Sequence, residues 1–392
     1  MLPEERLALP WFGSQHRETA AAAARFASLR LGQRDHPHAR NDVDRRCREY
    51  VKELGRDGLL DHCVAAVDGS RSFDARALCL IRETMAWHDG LADFAFAMQG
   101  LGSGPISLAG NDSLRGRYLP AVASGDSVAA FALSEAEAGS DVAAMTCQAR
   151  RDGEHYVVDG SKTWISNGGI ADVYCVFART EPAVVRADGS VEARGISAFV
   201  IEPSDPGFTI ERRIDVIAPH PLATLRFNAC RIPVDRRIGT EGEGFKIAMR
   251  TLDVFRASVA AAALGFAQRA LDEALGHVRT RRMFGTTLGE FQLTKAALAE
   301  MATELEAARQ LTYQAAWLRD TGGTVTKAAA MAKMTATESA QRIIDRAVQL
   351  FGGRGVVSGE VVERLYRDIR ALRIYEGATE VQKLIIAREV MR

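Results

Sequence analysis

Apolar residues recur at helical spacing through the first third of the chain, as in Val51, Leu54, Leu59 and Leu60 and again from Leu78 to Met98, which predicts helices there. Pro120 and Gly125 then interrupt the pattern. From about 128 to 240 the rhythm shortens to β-type runs separated by turn residues: Val128 to Leu133, His155 to Val158, Val173 to Phe177, Ile196 to Ile201 and Thr224 to Phe227. Asp152-Gly153 lies between two such runs and predicts a type I′ hairpin, in which both central residues take positive φ. Spacing this short leaves little room for crossover helices, so the sheet is expected to be mainly antiparallel. Past the glycine-rich stretch from Gly239 to Gly244, Ala257 to Val278, Glu290 to Arg319 and Thr326 to Leu350 are long amphipathic segments with few breakers, a bundle pattern. The expected fold class is α+β. Its parts are an N-terminal α-helical domain over 1–127, a mainly antiparallel β-domain over 128–240 and a C-terminal helical bundle over 241–392.

Composition narrows the function classes. The chain has 392 residues, 47% of them hydrophobic and 26% charged, which suits a globular protein and is too apolar for disorder. Lys and Arg (50) balance Asp and Glu (50), so no global field favours nucleic acid or an anionic membrane surface. No apolar run approaches the ~20 residues of a membrane span. The six cysteines are scattered, without a C-x-x-C pair or a His cluster at metal spacing, which reads as reduced thiols and no metal. Thr19 to Arg34 is rich in Ala and Arg, as organellar presequences are, but Glu4 and Glu5 precede it and Phe26 and Leu29 sit at helical spacing. A cytoplasmic location is expected.

Nucleotide motifs are absent. Gly353-Arg354-Gly355 has Ser358 where the dinucleotide fingerprint needs its last glycine, and Gly160-Ser161-Lys162-Thr163 has a serine between glycine and lysine where a phosphate loop has none. Two segments stand out instead. Phe131 to Asp141 (Phe-Ala-Leu-Ser-Glu-Ala-Glu-Ala-Gly-Ser-Asp) puts small and hydroxyl residues at a strand end, and Trp164-Ile165-Ser166-Asn167-Gly168-Gly169 adds an aromatic. Backbone N–H groups, hydroxyls and an indole suit the edge and face of a flavin. Taken alone, the same residues equally describe a strand end with turn chemistry and one buried tryptophan.

With these segments, Gln349-Leu350-Phe351-Gly352-Gly353-Arg354-Gly355 through Arg364 and Asp368, and Ile374-Tyr375-Glu376-Gly377-Ala378-Thr379-Glu380-Val381-Gln382, the sequence resembles the acyl-CoA dehydrogenase family from about residue 80 to the C-terminus. The resemblance implies FAD as cofactor and an acyl-CoA as substrate. It places Phe131, Leu133 and Ser134 at the isoalloxazine edge, with Trp164 and Ser166 across from it. Arg281, Phe284 and Gln292 would reach the pyrophosphate and adenosine of the FAD bound by a neighbouring subunit, and Gln349 to Gly353 the adenine side, with Ala378 and Glu380 among the cofactor contacts. Ser140, Asp253, Arg256 and Gly377 would meet the substrate. Each has a plainer reading: Arg281 and Arg282 as solvated charges at a helix C-terminus, Gly352 and Gly353 as a helix end, Asp253 and Arg256 as a surface ion pair.

The resemblance assigns the catalytic base to Glu376. The α-hydrogen of a thioester is a weak acid, so a base must meet it in a dry site where the developing enolate is stabilised at once. Burial should raise the carboxyl pKa above the ~4.3 reference. The plain alternative is a carboxylate near a helix start, favoured by the macrodipole. In the family, the flavin's ribityl hydroxyl and the backbone N–H of this glutamate donate to the thioester oxygen. Gly359, Ala378 and the Ala136-Glu137 pair depart from the usual signature residues, and His220 between Pro219 and Pro221 is expected to be structural. The implied activity is oxidation of an acyl-CoA to a trans-2-enoyl-CoA by a homotetramer that passes electrons to an electron-transferring flavoprotein. An oxygen-using acyl-CoA oxidase and a non-catalytic CoA-ester-binding member of the fold are the rivals. Phe96, Met98 and Gln99 are candidates for the bottom of the acyl pocket.

Overall fold

The computed structural model describes residues 4–32, 39–67 and 72–392. Helices α1 (Glu4–Leu7), α2 (Ser14–Arg30), α3 (Arg40–Arg56), α4 (Ala75–His88), α5 (Gly90–Ala109) and α6 (Asp112–Ala123) come first. Strands β1 (Ala129–Ala132), β2 (Gln148–Asp152), β3 (His155–Ser166), β4 (Val173–Arg179), β5 (Ile196–Ile201), β6 (Phe208–Arg213), β7 (Leu222–Pro233) and β8 (Arg237–Ile238) follow. Helix α7 (Gly244–Thr280), a small hairpin of β9 (Arg282–Met283) and β10 (Thr286–Thr287), and helices α8 (Gln292–Asp320), α9 (Thr326–Phe351), α10 (Val361–Leu372) and α11 (Thr379–Val390) complete the chain. This is the three-domain α+β plan of helices, sheet and helices.

By packing, the chain divides into two compact units. The first comprises Met1–Gln33, Asp74–Asp93 and Asp253–Arg392. Its core joins Cys79 and Leu80 of α4, an alanine-rich stretch of α7, and apolar faces of α8, α9 and α10. From Ala257 to Leu264 every residue of α7 is buried, as expected of a helix surrounded on all sides. Small side chains let the helices approach closely: a Cβ added at Gly265 would lie 2.3 Å from the carbonyl oxygen of Glu83 on α4. Helix propensity alone favours alanine over glycine by about 1 kcal/mol, but a rigid backbone oxygen that close must be displaced, and overpacking costs about 1–3 kcal/mol. Gly265→Ala is therefore expected to lower the denaturant midpoint; an unchanged or raised midpoint would show that α4 yields. Across the same unit, Glu83 accepts from Arg309 Nε (3.1 Å) and Tyr313 OH (2.7 Å) of α8, a buried polar tie.

The second unit comprises Arg34–Phe73 and Phe94–Leu252 and holds the large sheet, ordered β6-β7-β3-β2-β4-β5-β8 with β1 beside β4. Pairing is antiparallel except where β4 meets β1 and, at one residue pair, β2. Every residue of β4 and β5 is buried, which explains their unbroken apolar runs. Strands β2 and β6 carry too few apolar residues to announce themselves; β2 buries only Ala149. The hairpin joining β2 to β3 differs from the sequence expectation. Asp152 pairs with His155, so the loop is Gly153-Glu154, and only Gly153 has positive φ, at 58°. That is the type II′ pattern, with glycine first, rather than type I′.

His220 donates through Nδ1 to Ala218 O (2.8 Å) and lies against Phe94, the ring centroids 4.5 Å apart. Burial pushes its pKa down. It is a packed, locally bonded histidine. Gln99, Phe96 and Met98 are all buried, but the Gln99 amide is fully engaged with backbone, donating to Ser127 O (2.8 Å) and Val122 O and accepting from Ala129 N (2.9 Å). It ties α5 to the start of β1 and has no group left for a ligand.

Candidate active site

In the first unit, α10 ends at Leu372 and α11 begins at Thr379, and the turn between them carries Glu376 at φ 53° followed by Gly377 at φ 94°. Positive φ at a glutamate is strained, and such residues persist only where their surroundings hold them. Three contacts do so. Lys333 Nζ on α9 and Gln382 Nε2 on α11 both donate to Gly377 O, at 2.7 and 2.9 Å, and Glu338 accepts from Thr379 Oγ1 (2.6 Å) while pairing with Arg373. A Cβ at Gly377 would meet only the movable amide end of Gln382, so it is the backbone conformation that requires glycine. Ala378 takes the N-cap position of α11 without a side-chain cap, and Glu380 is exposed on the first turn.

Glu376 as a whole residue is half-buried, but its Oε2 is enclosed and has no hydrogen-bond partner. Arg256 Nε and Gln382 Oε1 are enclosed and unpartnered as well. Enclosed polar atoms are usually hydrogen-bonded, so these three have bonding capacity left for a bound group. Burial raises the Glu376 pKa, and the positive charges of Arg82, Lys333 and Arg256 offset part of that rise. Arg82 is itself buried and bonded twice to Asp93 (2.8 Å each) and to Ser258. Arg256 donates to Asp253 (2.6 Å) one turn earlier on α7. This pair is no surface ion pair: Arg256 is buried, and desolvation raises the Asp253 pKa.

Other predicted residues of this unit are exposed. Arg281, Gln292, Gln349 and Gly353 all face away from the core. Arg281 follows the C-terminus of α7, where its backbone bonds to His277 O and Leu288 N frame the β9–β10 hairpin. The hairpin loop, Phe284-Gly285, has positive φ at both residues (49° and 82°), a type I′ turn with an aromatic where asparagine is usual. Phe284 is 87% exposed, as is Leu293.

The second unit gathers the other segment. Phe131 lies near the end of β1, its ring 5.0 Å from Phe177. Leu133 is buried, Ser134 and Ser166 half-buried, and Ser140 exposed. Trp164 stands at a break in the β3–β7 register between Lys162 and Ile165, with φ 59° and 56% exposure. A bulge there turns the indole out of the sheet instead of burying it, which removes the buried-tryptophan reading.

Two residues missed as site candidates fix this loop. Lys162 is fully buried and donates to Glu135 Oε1 (2.8 Å) and Leu133 O (2.9 Å). Glu135 also accepts from Thr146 N, Thr146 Oγ1 and Cys147 N, at 2.7 to 3.0 Å. Burial would raise the Glu135 pKa, but Lys162 and these donors outweigh it and hold the carboxyl below its ordinary value. A glutamate in the first motif and a lysine in the next strand were the available signals. Lys162 is thus an internal ion-pair partner and not part of a phosphate loop.

Among the described residues, His16, Asp74 and Asp320 alone form a His/carboxylate group at metal-ligand spacing, and Asp320 there already accepts from Arg76 Nε at 2.7 Å. A cavity of about 310 Å³ lined by residues of α8, α9 and α10, including Glu304, Arg342 and Tyr366, contains none of the predicted site residues. All six cysteines are buried, and none of them is joined in a disulfide. No described helix is long and apolar enough to cross a membrane.

Known proteins match in the same arrangement. The acyl-CoA dehydrogenase N-terminal domain model matches residues 13–126, the middle domain model 130–230 and the C-terminal domain model 242–391. The human mitochondrial short-chain specific acyl-CoA dehydrogenase is 40% identical over 347 residues, covering 87% of this chain and 82% of that protein. The short-chain specific acyl-CoA dehydrogenase of Clostridium acetobutylicum is 36% identical over 356 residues, covering 90% and 92%. Among solved structures, butyryl-CoA dehydrogenase from Megasphaera elsdenii superposes with a TM-score of 0.85 at 31% identity, covering 97% of this chain and 99% of that one. With all three domain models matched in order and relatives this similar along nearly the whole length, the chain belongs to the acyl-CoA dehydrogenases, a family of FAD-dependent oxidoreductases.

Proposed function

We propose that this protein oxidises a short-chain acyl-CoA to the trans-2-enoyl-CoA, with Glu376 as the base that removes the α-proton. The observation that carries the reading is the enclosed, unpartnered Oε2 of Glu376, held in a strained turn beside three buried cations. A carboxyl in that position has a raised pKa, closer to the pH at which it must accept a proton. The short chain is proposed because the similar proteins from human mitochondria and Clostridium acetobutylicum carry that specificity in their names.

The residues present fit FAD. Trp164 offers an exposed indole at a bulge, and the half-buried Ser134 and Ser166 offer hydroxyls at the two strand ends. We assign Phe131, Leu133, Ser134, Trp164 and Ser166 to the ring. Arg281, Phe284, Gln292, Gln349, Gly353, Ala378 and Glu380 are assigned to the pyrophosphate and adenosine side, in part across subunits of a homotetramer. FAD, when bound, supplies the acceptor for the hydride leaving the β-carbon. Glu376 takes the α-proton, and its own backbone N–H, which has no acceptor among the described residues, donates to the thioester oxygen as negative charge develops there. Arg256, Asp253, Ser140 and Gly377 orient the thioester and pantetheine. Electrons then leave to an electron-transferring flavoprotein, and the protein acts in the cytoplasm.

Anaerobic titration of the purified flavoprotein with butyryl-CoA tests this. Bleaching of the flavin near one equivalent is expected, with weaker response to long, branched and ring-containing acyl-CoAs. A fully FAD-loaded protein whose flavin stays oxidised with all of them would sink the reading.

A further inference from the structure

Charges around Glu376 pair off unevenly. Arg82 of α4 is neutralised by Asp93 of α5, and Arg256 by Asp253, both on α7. Nearby, Glu338 of α9 pairs with Arg373 just past the end of α10, while Glu380 on α11 is exposed. Lys333 of α9 is fully buried, yet among the described residues no carboxylate lies within ion-pair distance of it; its Nζ donates to Gly377 O at 2.7 Å. Counting Arg82, Arg256 and Lys333 against Asp93 and Asp253 leaves one positive charge, and Glu376 in its ionised form is the buried group that balances it.

We propose that Lys333 is a positioning residue for Glu376: its bond to Gly377 O fixes the turn that carries the base, and its charge is the through-space counter-charge of the Glu376 carboxylate. The inference deepens the proposed function and rests on Glu376 being the base. Burial strips charge from both partners, so each favours the other's ionised form, and an ionised Glu376 is the form that accepts a proton. In keeping with this, burial lowers the Lys333 pKa to about 8, and the negative charge of Glu376 is the largest influence raising it back. Tyr375, partly buried here, interacts with Arg82, Asp93 and Glu376 and is held protonated by desolvation.

The test is a double-mutant cycle on the FAD-loaded protein, Lys333→Gln against Glu376→Gln, read by urea unfolding at pH 7. Glutamine at 333 keeps a donor for Gly377 O and removes the charge. Lys333→Gln is expected to be at least tenfold more damaging to the unfolding equilibrium when Glu376 is present than when it is glutamine; additivity overturns the proposal. Lys333→Met extends the cycle by removing the donor as well. In the catalytic readout, the acid limb of flavin reduction against pH is expected to move up by about one unit in Lys333→Gln, with KM nearly unchanged. A uniform loss of rate with the limb in place means a purely structural lysine and also overturns it. Should neither neutral variant fold, wild type and Glu376→Gln are compared directly. Near pH 8 the wild type must lose stability relative to Glu376→Gln, because deprotonation of Lys333 there removes a charge pair that the variant lacks; a difference that stays constant over that interval refutes the pairing. If no acyl-CoA reduces the wild-type flavin, the base assignment fails, while the stability cycle still decides whether Lys333 and Glu376 are paired.

Discussion

Glu376→Gln is expected to keep FAD and the fold while slowing flavin reduction by acyl-CoA roughly 10²–10⁴-fold, the contribution of a positioned general base. The substitution is nearly isosteric, and the amide cannot accept the α-proton. Its effect on stability has a definite sign. Burial raises the Glu376 pKa in the folded state, so the folded protein holds that proton more tightly than the unfolded chain does. Such a group leaves stability unchanged below its unfolded pKa and lowers it once pH passes the folded value. Removing the ionisable group should therefore leave the melting temperature at neutral pH equal or higher. Loss of reduction together with loss of FAD or a lower melting temperature would point to a structural glutamate; normal reduction would end the base assignment.

The ease with which Glu376 could be read from sequence contrasts with the opacity of its neighbours. Tyr375-Glu376-Gly377 sits in a motif, and a glycine after a glutamate between two helical segments is a turn signal that the positive φ values of both residues explain. Arg82 and Lys333 had no such signal. Each is a charged residue within a helix, and a one-dimensional pattern cannot distinguish a charge that faces solvent from one buried against a partner on another helix; both are buried here. Asp253 and Arg256 were visible as a pair, but their burial was not. In the sheet, long apolar runs such as those of β4 and β5 announced themselves, whereas β2 and β6 follow from pairing with neighbours and not from their own composition. The two hairpins show the same limit. Asp152-Gly153 looked like a type I′ turn and is displaced by one residue, while Phe284-Gly285 forms that turn without the usual asparagine. In each case tertiary register decided which residues became the corner.

Breaking the Lys162–Glu135 pair should produce the largest loss of stability of any single substitution considered. Both side chains are buried, and their atoms join β3 to the loop after β1 through the 2.8 Å ion pair and the Leu133 carbonyl. Lys162→Met would leave a buried carboxylate facing only three neutral donors, and removing one partner of a buried pair costs about 3–5 kcal/mol. Glu135→Gln in the same background removes the orphaned charge, so the double variant is expected to recover a large part of the loss, which a simple packing defect at 162 would not allow. The loop carries Leu133 and Ser134, so FAD content should fall in the single variant and return with the double. The pair also sets an acid limit. The Glu135 pKa is depressed in the folded state by Lys162 and the backbone donors once these outweigh burial; its contribution is full above the unfolded value of about 4.3 and is lost as pH falls through the lower folded value. Urea unfolding of the three proteins at neutral pH, with flavin absorbance read alongside, tests the argument. A Lys162→Met protein with the wild-type midpoint and full flavin colour would show that the loop is held without this charge pair.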